Sequence, residues 1–230
     1  MRDPSAEDSA FEGRPSPLRQ LVRRGMAATL PRRLFLASGP PAIQSLALTF
    51  DDGPDPTHTP AVLDRLRALG VRATFFVIGR KAEANPALVA RIAEEGHEIG
   101  HHSWSHAPPH ETPARVLVHE AERTSALLQR LLGRPPRLFR PPYGKLTPGK
   151  LLGLWGLGQT VVLWNRDPKD FGREGVEPIR RWFEGAPLAG GDILLLHDVH
   201  PHVAPALEAV VERAARHGLA FGTPSEWLDG

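Results

Sequence analysis

Apolar residues along the chain fall into two alternating patterns. Short, mostly apolar blocks at 46–50, 73–78, 98–101, 138–139, 160–163, 193–196 and 219–221 read as strands buried on both faces. Between them the apolar spacing is helical, as in Val62, Leu63, Leu66 and Leu69, or Val203, Leu207, Val210 and Val211. Helix starts are marked by Thr59-Pro60, Asn85-Pro86, Thr112-Pro113 and Thr147-Pro148, then less sharply by Glu177-Pro178 and Ala204-Pro205. There Thr or Asn is expected to cap free N–H groups, and Pro suits a first turn that needs no N–H. Gly70, Gly96, Gly133, Gly185 and Gly218 stand at the other ends, where a left-handed residue is wanted. A repeating β-then-α order implies parallel strands joined by right-handed crossovers. Seven short strands favour closure or strong curvature. The expected fold class is α/β: a single barrel or strongly curved parallel sheet, with its active site at the carboxyl ends of the strands.

Composition narrows the chemistry. The 230 residues include 22 Gly and 24 Pro, high but short of the ~25–30% that marks low complexity. With no Cys, disulfide frameworks, thiolate zinc sites, iron–sulfur clusters and a Cys nucleophile are excluded. Any metal must therefore be held by His and carboxylate, and there are 11 His. The net charge is only +2, and Arg supplies nearly all the base. Without clustered base on one face, nucleic acid is not an expected partner. Residues 1–15 are polar and Pro-punctuated, as a disordered tail is; 17–37 suit one amphipathic helix broken at Pro31 and packed on the barrel. The longest apolar run, 34–38, is too short to cross a membrane, and the acid-rich start is unlike a signal peptide. A cytoplasmic location is the default expectation. No Gly-rich dinucleotide or phosphate loop follows any strand, which argues against NAD, FAD and ATP.

Polar residues collect where the strands end. The first strand runs into Asp51-Asp52-Gly53-Pro54-Asp55, readable as a paired-carboxylate site or as a solvated turn. The third ends in His101-His102-Ser103-Trp104-Ser105-His106. In an extended strand, residues four apart are separated by ~13 Å, too far to share an ion. In a helical turn they are neighbours at ~5–6 Å. His102 and His106 can thus share a metal only if the chain turns at about His102. His97, His101 and His110 also fall at spacing four, but His97 starts the strand and His110 lies beyond Pro108-Pro109. Next come Arg140-Pro141-Pro142-Tyr143-Gly144, a stiff loop able to position a guanidinium or a backbone N–H, and then Asp167 and Asp170. The last clear strand delivers His197-Asp198, where the imidazole is either a core group or a general acid/base. Successive strand ends share one rim. Two His and one Asp with an open position for water suit a hydrolytic metal such as zinc.

The segments TFDDGP (49–54), GHEIGHHSWSH (96–106), RPPYG (140–144), WNRDPKDF (164–171) and LLLHD (194–198) resemble the five ordered motifs of polysaccharide deacetylases. That family, carbohydrate esterase family four, includes nodulation-type chitooligosaccharide and peptidoglycan deacetylases, and its fold is a distorted (β/α) barrel. The resemblance covers roughly 46–221 and divides the chain into an N-terminal tail and helix (1–44) and a catalytic domain (45–230). It implies metal-dependent hydrolysis of N-acetyl groups on N-acetylglucosamine-containing glycans, with an acetylated glycan or oligosaccharide as partner. Asp52, His102 and His106 are the implied ligands of one divalent ion, zinc first, with cobalt or another ion as the alternative. Asp51 is the implied base, aimed by Arg140, and His197 the implied acid. Asp170 rather than Asp167 is expected to orient His197, because the family's carboxylate directly precedes an aromatic. The Tyr143 backbone N–H is the implied oxyanion donor, and Leu195 and Phe171 line the pocket for the acetyl methyl. Two positions depart from the pattern: Phe171 replaces the usual Trp, and His101 the usual Asn. An O-acetyl esterase, a non-sugar amide or imide hydrolase, and an inactive glycan-binding module are the competing expectations.

Overall fold

The structure is a computed structural model that describes residues 17–172 and 175–228; the tail expected over 1–15 lies outside the described residues. Among the described residues eight strands pair in parallel: β1 (Phe35–Leu36), β2 (Ser45–Asp51), β3 (Thr74–Val77), β4 (Glu98–His101), β5 (Leu138–Phe139), β6 (Thr160–Val162), β7 (Ile193–His197) and β8 (Ala220–Gly222). Their order is β1-β6-β5-β4-β3-β2-β7, with β8 alongside the first half of β2. Beyond β6, Arg166 makes a parallel bridge to Leu194 of β7, so the sheet curls round on itself. The closure is fixed by Asp192, which accepts from Arg166 Nε and Asn165 Nδ2, each at 2.7 Å. This is the α/β barrel that the sequence pattern implies.

Among the described residues the α-helices are α1 (Pro17–Thr29), α2 (Thr59–Leu69), α3 (Gly79–Ala84), α4 (Pro86–Glu94), α5 (Ala114–Leu132), α6 (Pro148–Gly156), α7 (Glu177–Gly185) and α8 (Val203–Arg216). Successive strand residues face opposite sides. Leu46, Leu48, Phe50, Phe75, Val77, Leu194 and Leu196 face outward and pack beneath α2, α4, α7 and α8. Leu36, Ala47, Phe76, Leu138, Val162 and Ile193 face inward and meet Trp227. Both faces are buried, so the strands read as apolar blocks without visible alternation. Among the described residues, no helix is long and apolar enough to cross a membrane.

Several local expectations are corrected. The segment 17–37 is not one broken helix: α1 ends at Thr29, and Phe35–Leu36 joins the sheet as an eighth strand. Pro31 cannot continue a helical ladder, and the apolar pair beyond it is buried on both sides. Helix α3 was not foreseen, being too short for a periodic signal. Of the expected caps, only the Thr147 side chain accepts from its helix, at Lys150 N. Thr59 is engaged with Asp198, Asn85 donates to Lys81 O, and Thr112 donates to Pro108 O. Gly185 ends α7 without entering the left-handed region, unlike Gly70, which closes α2 at φ 66°.

Trp227, on the closing 3-10 turn Pro224–Trp227, is 1% exposed and plugs the barrel interior away from the strand carboxyl ends. Gly39 lies flat against it; a Cβ there would sit 2.6 Å from the indole. Trp227→Ala is expected to cost about 3–5 kcal/mol, the range for removing a buried Trp, read from urea unfolding. Unchanged stability would mean that the plug is not part of the core.

Candidate active site

The site starts from strand register. Asp51 of β2 pairs with His197 of β7, so both project from the inner face of neighbouring strands about 4.8 Å apart. Arg140, one residue beyond β5, lies inside the barrel with no exposed surface. Its Nη1 donates to Asp51 Oδ1 at 2.7 Å and to Thr49 Oγ1 at 2.8 Å, and its guanidinium lies 4.0 Å from the Phe76 ring centroid. The Thr49 hydroxyl is free to accept because its own proton goes to Leu194 O at 2.6 Å. Burial pulls the Arg140 pKa down, and Asp51 opposes the shift.

Asp52 leaves the strand with φ 73°. His101 and His102 point to opposite faces, as adjacent residues in extended chain must. His101 packs outward on Phe139 and meets Gln159 Oε1 at 3.1 Å through Nε2, so it is no spare ligand. His102 faces the site, with Nδ1 bonded to Arg140 O at 2.6 Å, which leaves Nε2 for the cluster. Ser103 (φ 63°) and His106 (φ 56°) then turn the chain back, and the His106 ring comes within 4.8 Å of His102. His106 Nε2 lies 3.4 Å and His102 Nε2 3.8 Å from Asp52 Oδ1. Ligand atoms from these three residues lie within 4.8 Å of one another. His97 and His110 stand apart from the cluster: His97 Nδ1 accepts from Ala73 N, and His110 is exposed beside Glu111.

The cluster suits a divalent ion. Asp52 Oδ1 is buried without a hydrogen-bond partner, an arrangement that a cation satisfies. Burial pushes His102 down to about 4 despite Asp51 nearby, so its imidazole is neutral with a lone pair available. For Asp52, burial favours the neutral acid, but His106, His197, His102 and Lys81 hold it well below the usual carboxylate range. Two imidazoles and a carboxylate form a three-ligand set of the kind that leaves a position open.

On the other side of Asp51, Asp170 is fully buried and grips His197 twice: Nδ1 at 2.9 Å and the backbone N–H at 2.8 Å. Burial works against the imidazolium, but Asp170, then Asp52 and Asp51, outweigh it and push His197 up to about 10. Asp167 does not reach His197; it holds Lys169 at 2.7 Å and accepts from Trp164 Nε1 at 3.3 Å. Phe171 meets the His197 ring edge-on at 5.4 Å. Leu195 is buried on the inner face two residues before His197, and the Tyr143 ring lies 4.6 Å from His106.

Some partners carried no sequence signal. Asp198 is buried beneath Gly53, where any Cβ would overlap its carboxylate, and it accepts from Thr59 Oγ1 at 2.5 Å. Burial pushes Asp198 up to about 7. The neighbouring DDGP and HD segments hint at this packing only once their strands are known to be adjacent. Among the described residues, the non-glycine positions of positive φ are Asp52, Ser103, His106, Tyr143 and Lys169, all on the loops that frame the site.

The profile of the polysaccharide deacetylase family matches residues 38–162. A peptidoglycan-N-acetylglucosamine deacetylase of Bacillus cereus is 37% identical over 188 residues, which are 80% of this chain and 87% of that protein. A chitooligosaccharide deacetylase of Bradyrhizobium sp. is 40% identical over 163 residues, 69% of this chain and 72% of that one. The crystal structure of a peptidoglycan N-acetylglucosamine deacetylase matches with a TM-score of 0.80 at 32% identity, covering 84% of this chain and 92% of the other. Profile, relatives and barrel agree: the chain belongs to the polysaccharide deacetylase family.

Proposed function

We propose that this chain is a divalent-metal-dependent deacetylase that hydrolyses N-acetyl groups on N-acetylglucosamine-containing glycans and releases acetate. The observation that carries the reading is the pairing of Asp51 and His197 on adjacent strands, each held by its own buried partner, beside the Asp52–His102–His106 cluster. The relatives named for N-acetylglucosamine and chitooligosaccharide deacetylation support the substrate class.

Asp52, His102 and His106 would hold the ion, and their mixed imidazole and carboxylate donors favour zinc. When bound, such an ion supplies Lewis-acid polarisation of an acyl oxygen and a more acidic water. The chain's own groups do the rest. Arg140 fixes Asp51 Oδ1, while Oδ2 faces His102 Nε2 at 3.6 Å and takes a proton from the attacking water. The Tyr143 backbone N–H donates to the acetyl oxygen as negative charge develops there. The water oxygen bonds to the acetyl carbon, and His197 gives its proton to the sugar nitrogen as the C–N bond breaks. Acetate and a free amine result. Without that proton the nitrogen would leave as a strongly basic anion, and the intermediate would revert. Leu195 and Phe171 border the acetyl methyl.

Asp51→Asn is expected to lower acetate release from chitooligosaccharides by about 10²–10⁴-fold, the usual worth of a general base. Chelator treatment should abolish release by the unaltered chain, and zinc or cobalt should restore it. Full activity in Asp51→Asn would remove the base from the mechanism, and faster release from acetylxylan than from chitooligosaccharides would favour an O-acetyl esterase.

His197 acts in its protonated form, so its raised pKa keeps the acid present through neutral pH and places activity loss on the alkaline limb. Asp170→Asn removes the main group that raises this pKa and should move that limb of kcat to lower pH. An unmoved limb would show that another group supplies the proton.

A further inference from the structure

We infer that Glu120 of α5 is a positioning residue that sets the spacing of His102 and His106; this rests on the reading of those histidines as metal ligands. Between them the chain must keep Ser103 and His106 in the left-handed region, each at a cost of order 1–3 kcal/mol. Something outside the loop must hold it there. The carboxylate of Glu120 takes three donors from two consecutive loop residues. Oε2 accepts from Trp104 N at 3.2 Å and Ser105 N at 3.3 Å, and Oε1 accepts from the Ser105 hydroxyl at 2.6 Å. The network runs on through the histidine segment: Ser105 Oγ accepts from Ala107 N at 3.2 Å, and Ser103 Oγ accepts from His106 N at 3.1 Å.

The loop carbonyls are held from another side. The first N–H groups of α3, from Gly79 and Arg80, donate to Ser103 O and Trp104 O at 3.0 and 3.1 Å. One turn along α5 from Glu120, Arg123 lies over the Trp104 ring at 3.4 Å. Carbonyls, ring and amides are thus gripped separately, and the grip on the amides is the only one of the three made by a carboxylate. Removing it leaves two partly buried N–H groups without an acceptor and lets Ser103 and His106 relax from their strained turns. His106 Nε2 would then lose its place beside Asp52. Glu120 touches neither substrate nor ligand atoms, so its effect must pass through loop geometry.

The test is Zn²⁺ titration of the chelator-stripped full chain against a competing chromophoric chelator, with circular dichroism to verify folding. Glu120→Ala is expected to weaken zinc binding by about 10–100-fold, the range for residues that orient metal ligands. Glu120→Gln keeps an oxygen for the two amides and an NH₂ for Ser105 Oγ, and should bind within a few-fold of the unaltered chain. Ser105→Ala, which loses only the hydroxyl contacts, should fall between them. A folded Glu120→Ala that binds zinc as the unaltered chain does would overturn the inference. If that variant does not fold, Ser105→Ala with unchanged affinity would do so. Failure of the unaltered chain to bind zinc would instead overturn the metal reading.

Discussion

The site hangs on the buried pair between Arg140 and Asp51. A guanidinium inside a barrel is costly, because desolvation of an ion pair consumes much of its Coulombic gain. Here the cost is offset by the bonds to Asp51 and Thr49 and by stacking on Phe76. The same residue then uses its backbone: Arg140 O accepts from His102 Nδ1 and presents Nε2 to the cluster. One position therefore orients both the proposed base and a proposed metal ligand. Loss of either partner would leave the other charge buried, a penalty of about 3–5 kcal/mol in comparable pairs. That coupling explains why the RPPYG loop needs its stiffness: displacement of Arg140 would disturb two parts of the site at once.

Strain is the second constraint. Left-handed non-glycine residues are uncommon, yet Asp52, Ser103, His106, Tyr143 and Lys169 all lie on the framing loops. Each of these positions follows the carboxyl end of a strand, and the chain must turn sharply there to send side chains back over the rim. The barrel opposes relaxation. Gly53 is locked against Asp198, Ile78 N binds Gly53 O at 2.8 Å, and Asn165, Arg166 and Asp192 close the sheet below the Asp167–Phe171 loop.

The pattern of short apolar blocks and helical spacing revealed the barrel because the central strands, such as β2, β3 and β7, are buried on two faces. The five motifs revealed the rim because strand ends in a parallel barrel face one way. What escaped was non-local or very short. Phe35–Leu36 is a two-residue strand whose identity depends on β6, and α3 is under two turns long. Thr59 and Asn85 had the chemistry of caps, but Asp198, distant in sequence, took the Thr59 side chain, and the Asn85 amide turned back to the Lys81 carbonyl of the preceding helix. The choice between His101 and His102 was legible in principle, since the pleat sends only one of them inward. Asp198 and Glu120 were not, because each acts on a loop distant in sequence.

The site separates two histidines by the kind of oxygen each one meets. His102 Nδ1 faces a carbonyl, which favours an N–H there without adding negative charge, and burial holds the ring near 4. His197 is opposed by burial, but its Nδ1 faces the Asp170 carboxylate, which with Asp52 and Asp51 outweighs that burial and carries the ring to about 10. A neutral imidazole can ligate a cation, and an imidazolium can donate a proton; exchanging the two partners would deprive the site of both functions. Proximity to Asp51 and Asp52 cannot explain the division, because both histidines feel these carboxylates. The partner behind each ring does. Asp170 and the Arg140 carbonyl thereby assign the chemistry of residues whose sequence identity is the same.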